Sequence, residues 1–122
     1  MPTMSAQGTP LLDQSLVEEI RQVERATGKT GLFAGFVAKL EADLAAFGPD
    51  FAAAIGRGDS ASAMRLAHKL KGACRQLGAA ALGNLFADIE ASTKAGDHDA
   101  AQRRFRDGTG LISRSLDALK RA

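Results

Sequence analysis

Apolar residues recur every three or four positions through most of the chain, and no segment alternates convincingly with period two. This spacing predicts amphipathic helices rather than a sheet. The first helix begins beside Ser15 and Glu18, which have the spacing of a capping box, and it ends near Gly28.

The second apolar stripe keeps a helical period over four turns, in residues 33–47, and Thr30 could cap its start. Gly48-Pro49 interrupts the pattern, because proline lacks a backbone donor and glycine disfavours helix. We therefore expect this helix to end at the dipeptide. A new segment of one or two turns would then carry Phe51 and Ile55.

The remaining stripes are separated by residues with loop chemistry. Gly-Asp pairs precede two of them, and Asp59 and Asp97 are good N-cap residues. Gly78 is a natural stop for the helix that contains His68, and a new helix starts directly after it. Gly108-Thr109-Gly110 lies inside the last stripe and should weaken or bend that helix.

Short loops make neighbouring helices antiparallel, so the pattern predicts an all-α bundle in a single domain, residues 11–122. Residues 1–10 are small and polar and predict a flexible N-terminal tail. The 122 residues are 45% hydrophobic and 25% charged, which is typical of globular proteins. No apolar run approaches the ~18 residues that span a bilayer, and no signal peptide is evident. The single cysteine, Cys74, fits a cytoplasmic location, and a net charge of +2 is too small to indicate nucleic acid.

His68 lies on the polar side of its predicted helix. At about 100° per residue the apolar positions of this helix form one arc, and His68 points roughly opposite the middle of that arc. Lys71 and Gly72, three and four residues on, share its face. An exposed imidazole, an adjacent ammonium and a position without a side chain suit a histidine that another macromolecule reaches. Such a histidine could carry a phosphoryl group.

Each neighbour of His68 also has an ordinary explanation. Glycine within a helix costs about 1 kcal/mol relative to alanine, so Gly72 either clears space for a partner or is a tolerated defect. Lys71 could neutralise part of the roughly two negative charges of a phosphoryl group, or it is a common surface lysine. Residues 57–77 hold five Lys or Arg and one acid, so this helix is either a basic docking face or a solvated one.

Glu90 is a further candidate at the edge of the next apolar stripe. If its helix packs antiparallel to the preceding one, the carboxylate could hold one nitrogen of His68 and leave the other as the nucleophile. The alternative is that Glu90 is an ordinary glutamate at the boundary between the apolar and polar faces of its helix. Two His and one Cys are too few for a zinc site, Cys74 lies on a different side of the helix from His68, and His98 is expected to be exposed and inert.

Residues 67–72 are Ala-His-Lys-Leu-Lys-Gly, and Leu77-Gly78-Ala79, Leu82 and Glu90 follow. This pattern resembles the signature of histidine-containing phosphotransfer (HPt) domains. The Gly-Asp breaks also look like that family, and the resemblance covers about residues 12–121.

The resemblance implies an antiparallel four-helix bundle with an additional N-terminal helix over one end. It implies that His68 is the phosphoacceptor, that Lys71 stabilises the phosphoryl group and that Gly72 gives the partner steric clearance. Ala73-Cys74 departs from the family, because many relatives carry serine just after the glycine. A hydroxyl contact from these positions would be absent or weaker.

A protein of this family would be a cytoplasmic monomer that shuttles a phosphoryl group between receiver-domain aspartates in a two-component phosphorelay. Its partners would be receiver domains of response regulators or hybrid histidine kinases, with no role for nucleic acid or a membrane. We expect that the protein is not an enzyme, because no kinase domain fits beside the bundle. We also expect no cofactor in this chain, with Mg²⁺ bound by the partner receiver domain. Two alternatives stay open: a helical docking module that is not phosphorylated, and a nucleic-acid binder that uses the basic helix.

Overall fold

The computed structural model describes residues 9–122, and this part of the chain is helical apart from short connections, with no strand. The six helices are α1 (Gln14–Thr27), α2 (Leu32–Gly56), α3 (Ser60–Leu77), α4 (Ala80–Lys94), α5 (His98–Asp107) and α6 (Thr109–Arg121). The predicted tail falls mostly on residues 1–8, outside the described residues. No helix in the described part of the chain is long and apolar enough to cross a membrane.

Helices α2, α3 and α4 form three sides of an antiparallel bundle, and α5 with α6 forms the fourth. Helix α6 returns to α2 and closes the bundle, while α1 packs on α2 and α3 at one end. The predicted all-α four-helix bundle with an additional N-terminal helix is confirmed.

Phenylalanine side chains fill the centre of the core. The ring of Phe47 stacks on Phe51 with centroids 4.9 Å apart, and it meets Phe86 edge-on at 5.0 Å. A third neighbour, Phe105 from α5, lies at 5.1 Å. Because burying one such side chain stabilises a fold by about 1.5–3 kcal/mol, this cluster holds α2, α4 and α5 together.

Helix α2 runs without interruption through Gly48-Pro49, so the predicted break at this dipeptide is wrong. Pro49 is exposed, whereas Phe47, Phe51 and Ala54 continue one buried face across it. A proline inside a helix costs about 3 kcal/mol. The aromatic packing on both sides outweighs this cost, and it is available only when the helix continues.

The first helix is capped by Asp13 and not by the predicted Ser15, which lies within the first turn. The Asp13 carboxylate accepts a hydrogen bond from the Leu16 amide at 3.2 Å. The Asp13 amide donates to the Gly78 carbonyl at 2.7 Å. This second bond joins the start of α1 to the end of α3, and it places the cap two residues earlier than local sequence suggests.

Thr30 does not cap α2. Gly31, with φ of 80°, is the N-cap residue and offers no side-chain acceptor. The Glu24 carboxylate of α1 accepts a hydrogen bond from the Phe33 amide at 3.1 Å instead. A cap supplied by another helix satisfies the same free amide as a local one.

The other predicted helix ends are confirmed. Asp59 and Asp97 cap α3 and α5, since their carboxylates accept hydrogen bonds from the Ser62 and Ala100 amides at 3.0 Å. Gly78 ends α3 with φ of 87°, a conformation that favours glycine.

The predicted weak point at 108–110 is the junction of α5 and α6. A Cβ atom at Gly108 would lie 2.5 Å from Leu85 Cδ2 on α4. The glycine therefore lets α4 pack closely against this junction.

Candidate functional site

Helix α3 presents His68 on the side opposite the core. Its buried positions are spaced at helical intervals: Ala63, Ala67, Leu70, Cys74 and Leu77. The His68 side chain is 67% exposed. Because the helix is capped at both ends and packed along its whole inner face, its backbone holds the imidazole at a defined place on the molecular surface.

Glu90 contacts both His68 and Lys71. The short connection at Gly78-Ala79 makes α4 antiparallel to α3, which brings Glu90 beside the middle of that helix. One oxygen, Oε2, lies 2.8 Å from His68 Nδ1, and the other, Oε1, lies 2.6 Å from Lys71 Nζ. The structure thus brings three of the four predicted site residues into one hydrogen-bonded group.

The ionised state of Glu90 determines which imidazole nitrogen carries the proton. The hydrogen bond from Lys71 has the largest effect on the Glu90 carboxyl and lowers its pKa. Desolvation opposes this effect, and the hydrogen bond with His68 lowers the pKa further. An ionised carboxylate only accepts hydrogen bonds, so Nδ1 of the neutral imidazole must donate. The lone pair is then on Nε2, on a side chain that is mostly exposed.

Gly72 leaves open space beside the histidine. A Cβ atom built at this position would meet no described atom within 4 Å other than its chain neighbours and the backbone of its own helix. Packing inside the chain therefore gives no reason for a glycine here, whereas a Cβ at Gly83 would lie 2.8 Å from Arg75 Cγ and would force that side chain to move. Because Gly72 has no side chain, nothing projects from this position of the helix surface next to His68.

A basic groove lies between α2 and α3 on the flank of α3 away from Glu90. Its charged lining residues are three cations, Arg57, Arg65 and Lys69, and one acid, Asp50. Arg57 is 3.6 Å from the Asp59 carboxylate, and Arg65 donates to the Ser62 hydroxyl at 3.0 Å. The two flanks of α3 differ accordingly: one holds a neutralised Lys–Glu pair, and the other an excess of positive charge.

An apolar groove lies further along the same helix, where Ala73 and Leu77 meet Ile20, Phe36 and Leu40. Sequence reasoning placed Phe36 in the apolar stripe of α2, yet this side chain is 47% exposed. The helical period could not separate Phe36 from its buried neighbours, because its exposure depends on how far α1 covers α2.

Cys74 and His98 take no part in this hydrogen-bonded group. Cys74 is fully buried, and burial raises the pKa of its thiol to about 12. His98 is only half-exposed, and its Nε2 lies 2.7 Å from the Ser60 hydroxyl, so the expectation of an exposed His98 is wrong. This contact joins the first turns of α3 and α5. In the described residues no cluster of His, Cys, Asp and Glu is arranged to hold a metal ion.

The bundle, with an exposed histidine mid-helix beside a lysine and a glycine, has the arrangement that the sequence resemblance predicts. The family model of the Hpt domain matches residues 32–122, so the chain belongs to the Hpt domain family. Helix α1 precedes the matched residues. No curated protein and no solved structure shows significant similarity to the chain.

Membership in the Hpt family defines the general role of the chain. Hpt domains are phosphocarrier modules of two-component signalling and lack kinase activity of their own. They act by interacting with receiver domains. The chain therefore has a phosphotransfer-related role in signalling.

Proposed function

We propose that this protein is a phosphorelay intermediate in which His68 accepts a phosphoryl group from an aspartate of one receiver domain and delivers it to an aspartate of another. The observation that carries the proposal is the 2.8 Å contact between Glu90 and His68 Nδ1. It supports a fixed tautomer whose nucleophilic Nε2 is on the exposed side of the helix.

The transfer step balances without any further group from this chain. Nε2 of His68 attacks the phosphorus of a phosphoaspartate, a P–N bond forms, the P–O bond to the acyl group breaks, and the aspartate carboxylate leaves. The second transfer is the reverse reaction on another receiver domain. Phosphoryl transfer depends mainly on positioning and charge stabilisation, and on this proposal the receiver domain supplies Mg²⁺ while this chain holds no cofactor.

Lys71 and Gly72 have separate roles in the proposal. Lys71 lies three residues from His68 and places an ammonium within reach of the transferred group. Gly72 leaves the space that the rim of the receiver domain needs in order to approach.

The partners in this proposal are receiver domains of response regulators or hybrid histidine kinases. Their acidic phosphorylation pocket would face His68, and the nearby basic groove that contains Arg57, Arg65 and Lys69 would attract the acidic receiver domain. The protein would act as a monomer in the cytoplasm, without nucleic acid.

The test is incubation of the protein with a panel of phosphorylated receiver domains, followed by detection of the label at neutral or alkaline pH, because phosphohistidine is acid-labile. His68→Gln should fold normally, since the side chain faces solvent, and accept no label. His98→Gln is the matched control and should be labelled like the wild type. Binding of receiver domains without labelling of the wild type would favour a docking module instead, and labelling of His68→Gln would place the phosphoacceptor elsewhere.

A further inference from the structure

Lys71 is already neutralised in the unphosphorylated protein. Its Nζ lies 2.6 Å from Glu90 Oε1, and the two side chains are only 23% and 18% exposed. An ammonium that is to stabilise a phosphoryl group on His68 must therefore give up an existing ion pair. The position of this ion pair is stabilised further, because the partly buried carboxylate also accepts a hydrogen bond from the imidazole at 2.8 Å.

Phosphorylation changes the charges around Glu90. The neutral imidazole carries its proton on Nδ1, and when Nε2 bonds to phosphorus both ring nitrogens are substituted. The ring then holds a positive charge, with the Nδ1–H group still directed at Glu90 Oε2. The phosphoryl group adds roughly two negative charges on the outer side of the same ring.

We propose that phosphorylation of His68 exchanges the cation bound to Glu90, so that the imidazolium replaces Lys71 as its partner and Lys71 moves to the phosphoryl oxygens. The exchange rests on the proposed function of His68 and concerns the same site. Glu90 has one cationic partner in each state, and the phosphoryl group receives the ammonium that Glu90 releases.

The geometry allows this movement without a change in the backbone. Lys71 has a flexible four-carbon stem and lies one turn from His68 on the same helix. The neighbouring surface at Gly72 is open, since a Cβ built there has no described atom within 4 Å other than its chain neighbours and the backbone of its own helix. Only side-chain torsions of Lys71 need to change.

The exchange also accounts for a reversible transfer. When the acceptor aspartate attacks, the P–N bond breaks and its electron pair returns to Nε2, which restores the neutral imidazole with its proton on Nδ1. Lys71 then returns to Glu90. No proton enters or leaves the site in either direction, and Glu90 acts as a positioning residue that touches neither phosphorus nor the attacking oxygen.

The exchange can be measured by nitrogen NMR on ¹⁵N-labelled protein at one fixed pH, before and after phosphorylation with phosphoramidate, which transfers its phosphoryl group to histidine and releases ammonia. We expect the Lys71 Nζ signal to shift on phosphorylation while His68 Nδ1 keeps its proton. An unchanged Lys71 signal in a protein phosphorylated at His68, or loss of the Nδ1 proton, would overturn the exchange and leave the proposed function intact. Absence of phosphorylation at His68 from both phosphoramidate and receiver domains would overturn both.

Variants at Glu90 separate its charge from its hydrogen bond. Glu90→Gln keeps an acceptor for Nδ1 but removes the charge that pairs with Lys71, so the Lys71 signal of the unphosphorylated variant should differ from that of the unphosphorylated wild type. Asp88→Asn is the matched control, because it removes an exposed carboxylate from the same helix and should leave both signals unchanged. A Lys71 signal in Glu90→Gln that is identical to that of the unphosphorylated wild type would contradict the exchange.

Discussion

At Gly72 the effect of side-chain size can be separated from the chemistry of the site, because a Cβ here would meet no described atom within 4 Å other than its chain neighbours and the backbone of its own helix. Gly72→Ala should raise the free energy of unfolding by up to about 1 kcal/mol, since alanine is the better helix former. Gly72→Gln should slow phosphoryl transfer, because the longer side chain occupies the space over which a receiver domain approaches. Urea denaturation and transfer rates measure the two effects.

Gly35 is a matched control for Gly72. It is an exposed glycine inside α2 that also has open space around its Cβ position. Gly35→Gln should therefore transfer at the wild-type rate. If Gly72→Gln does so as well, the glycine beside His68 has no role in partner approach.

Lys71 and Lys69 test whether a charge acts at the phosphoryl group or on docking. Lys71→Ala should shorten the lifetime of phosphohistidine and slow transfer, with a modest loss of receiver affinity, because it removes the ammonium nearest the imidazole. Lys69 lies about 100° around the helix from His68, in the groove with Arg57 and Arg65. Lys69→Ala should weaken docking at low salt more than at moderate salt and change the lifetime little. A larger effect of Lys69→Ala on the lifetime would contradict this assignment.

At the scale of single elements, α2 contains a proline that its packing tolerates at a cost. Pro49 is exposed, so alanine at this position leaves no cavity. Pro49→Ala should restore one backbone hydrogen bond and stabilise the protein by about 2 kcal/mol, because the cost of proline inside a helix exceeds its entropic benefit in the unfolded chain. Thermal and urea unfolding measure the change. An unaltered or lower stability would mean that α2 bends at Pro49 in a way that the core requires.

Helix α6 contains a buried hydroxyl without a hydrogen-bond partner among the described residues, Ser115 Oγ. An unsatisfied buried polar group costs about 1–3 kcal/mol, so Ser115→Ala should stabilise the protein by about 1 kcal/mol. Thr93 is the control, because its equally buried hydroxyl donates to the Ile89 carbonyl at 2.9 Å. Thr93→Ala should destabilise the protein, and destabilisation by both variants would show that Ser115 does have a partner.

At the scale of the whole molecule, Cys74 reports how the bundle opens. Its side chain is fully buried in the last turn of α3, and burial raises the pKa of the thiol to about 12. The thiolate, which is the reactive form, is thus nearly absent in the native state. A thiol reagent should label Cys74 only through global unfolding, with a rate that rises steeply with urea and matches the unfolding transition. Fast labelling that does not depend on urea would instead reveal local opening of α3.

Features that depend on residues close in sequence were predictable. The caps at Asp59 and Asp97, the end of α3 at Gly78 and the exposure of His68 each involve groups within about one helical turn. The apolar face of each helix can also be identified from residues close in sequence, because apolar residues recur at helical intervals on the side that packs against the core. The all-α bundle follows from these signals, but the division into helices follows only in part, because α2 is continuous and the last stripe forms two helices, α5 and α6.

The sequence by itself therefore determined which segments are helical, where most of them begin and end, and that His68 faces outward with Lys71 and Gly72 beside it. It did not determine the continuity of α2 through Pro49, the cap that Glu24 supplies to α2, or the joint contact of Glu90 with His68 and Lys71. Only the tertiary structure decided these, because each depends on atoms of different helices. Their distance is set by packing, and no spacing along a single helix determines it.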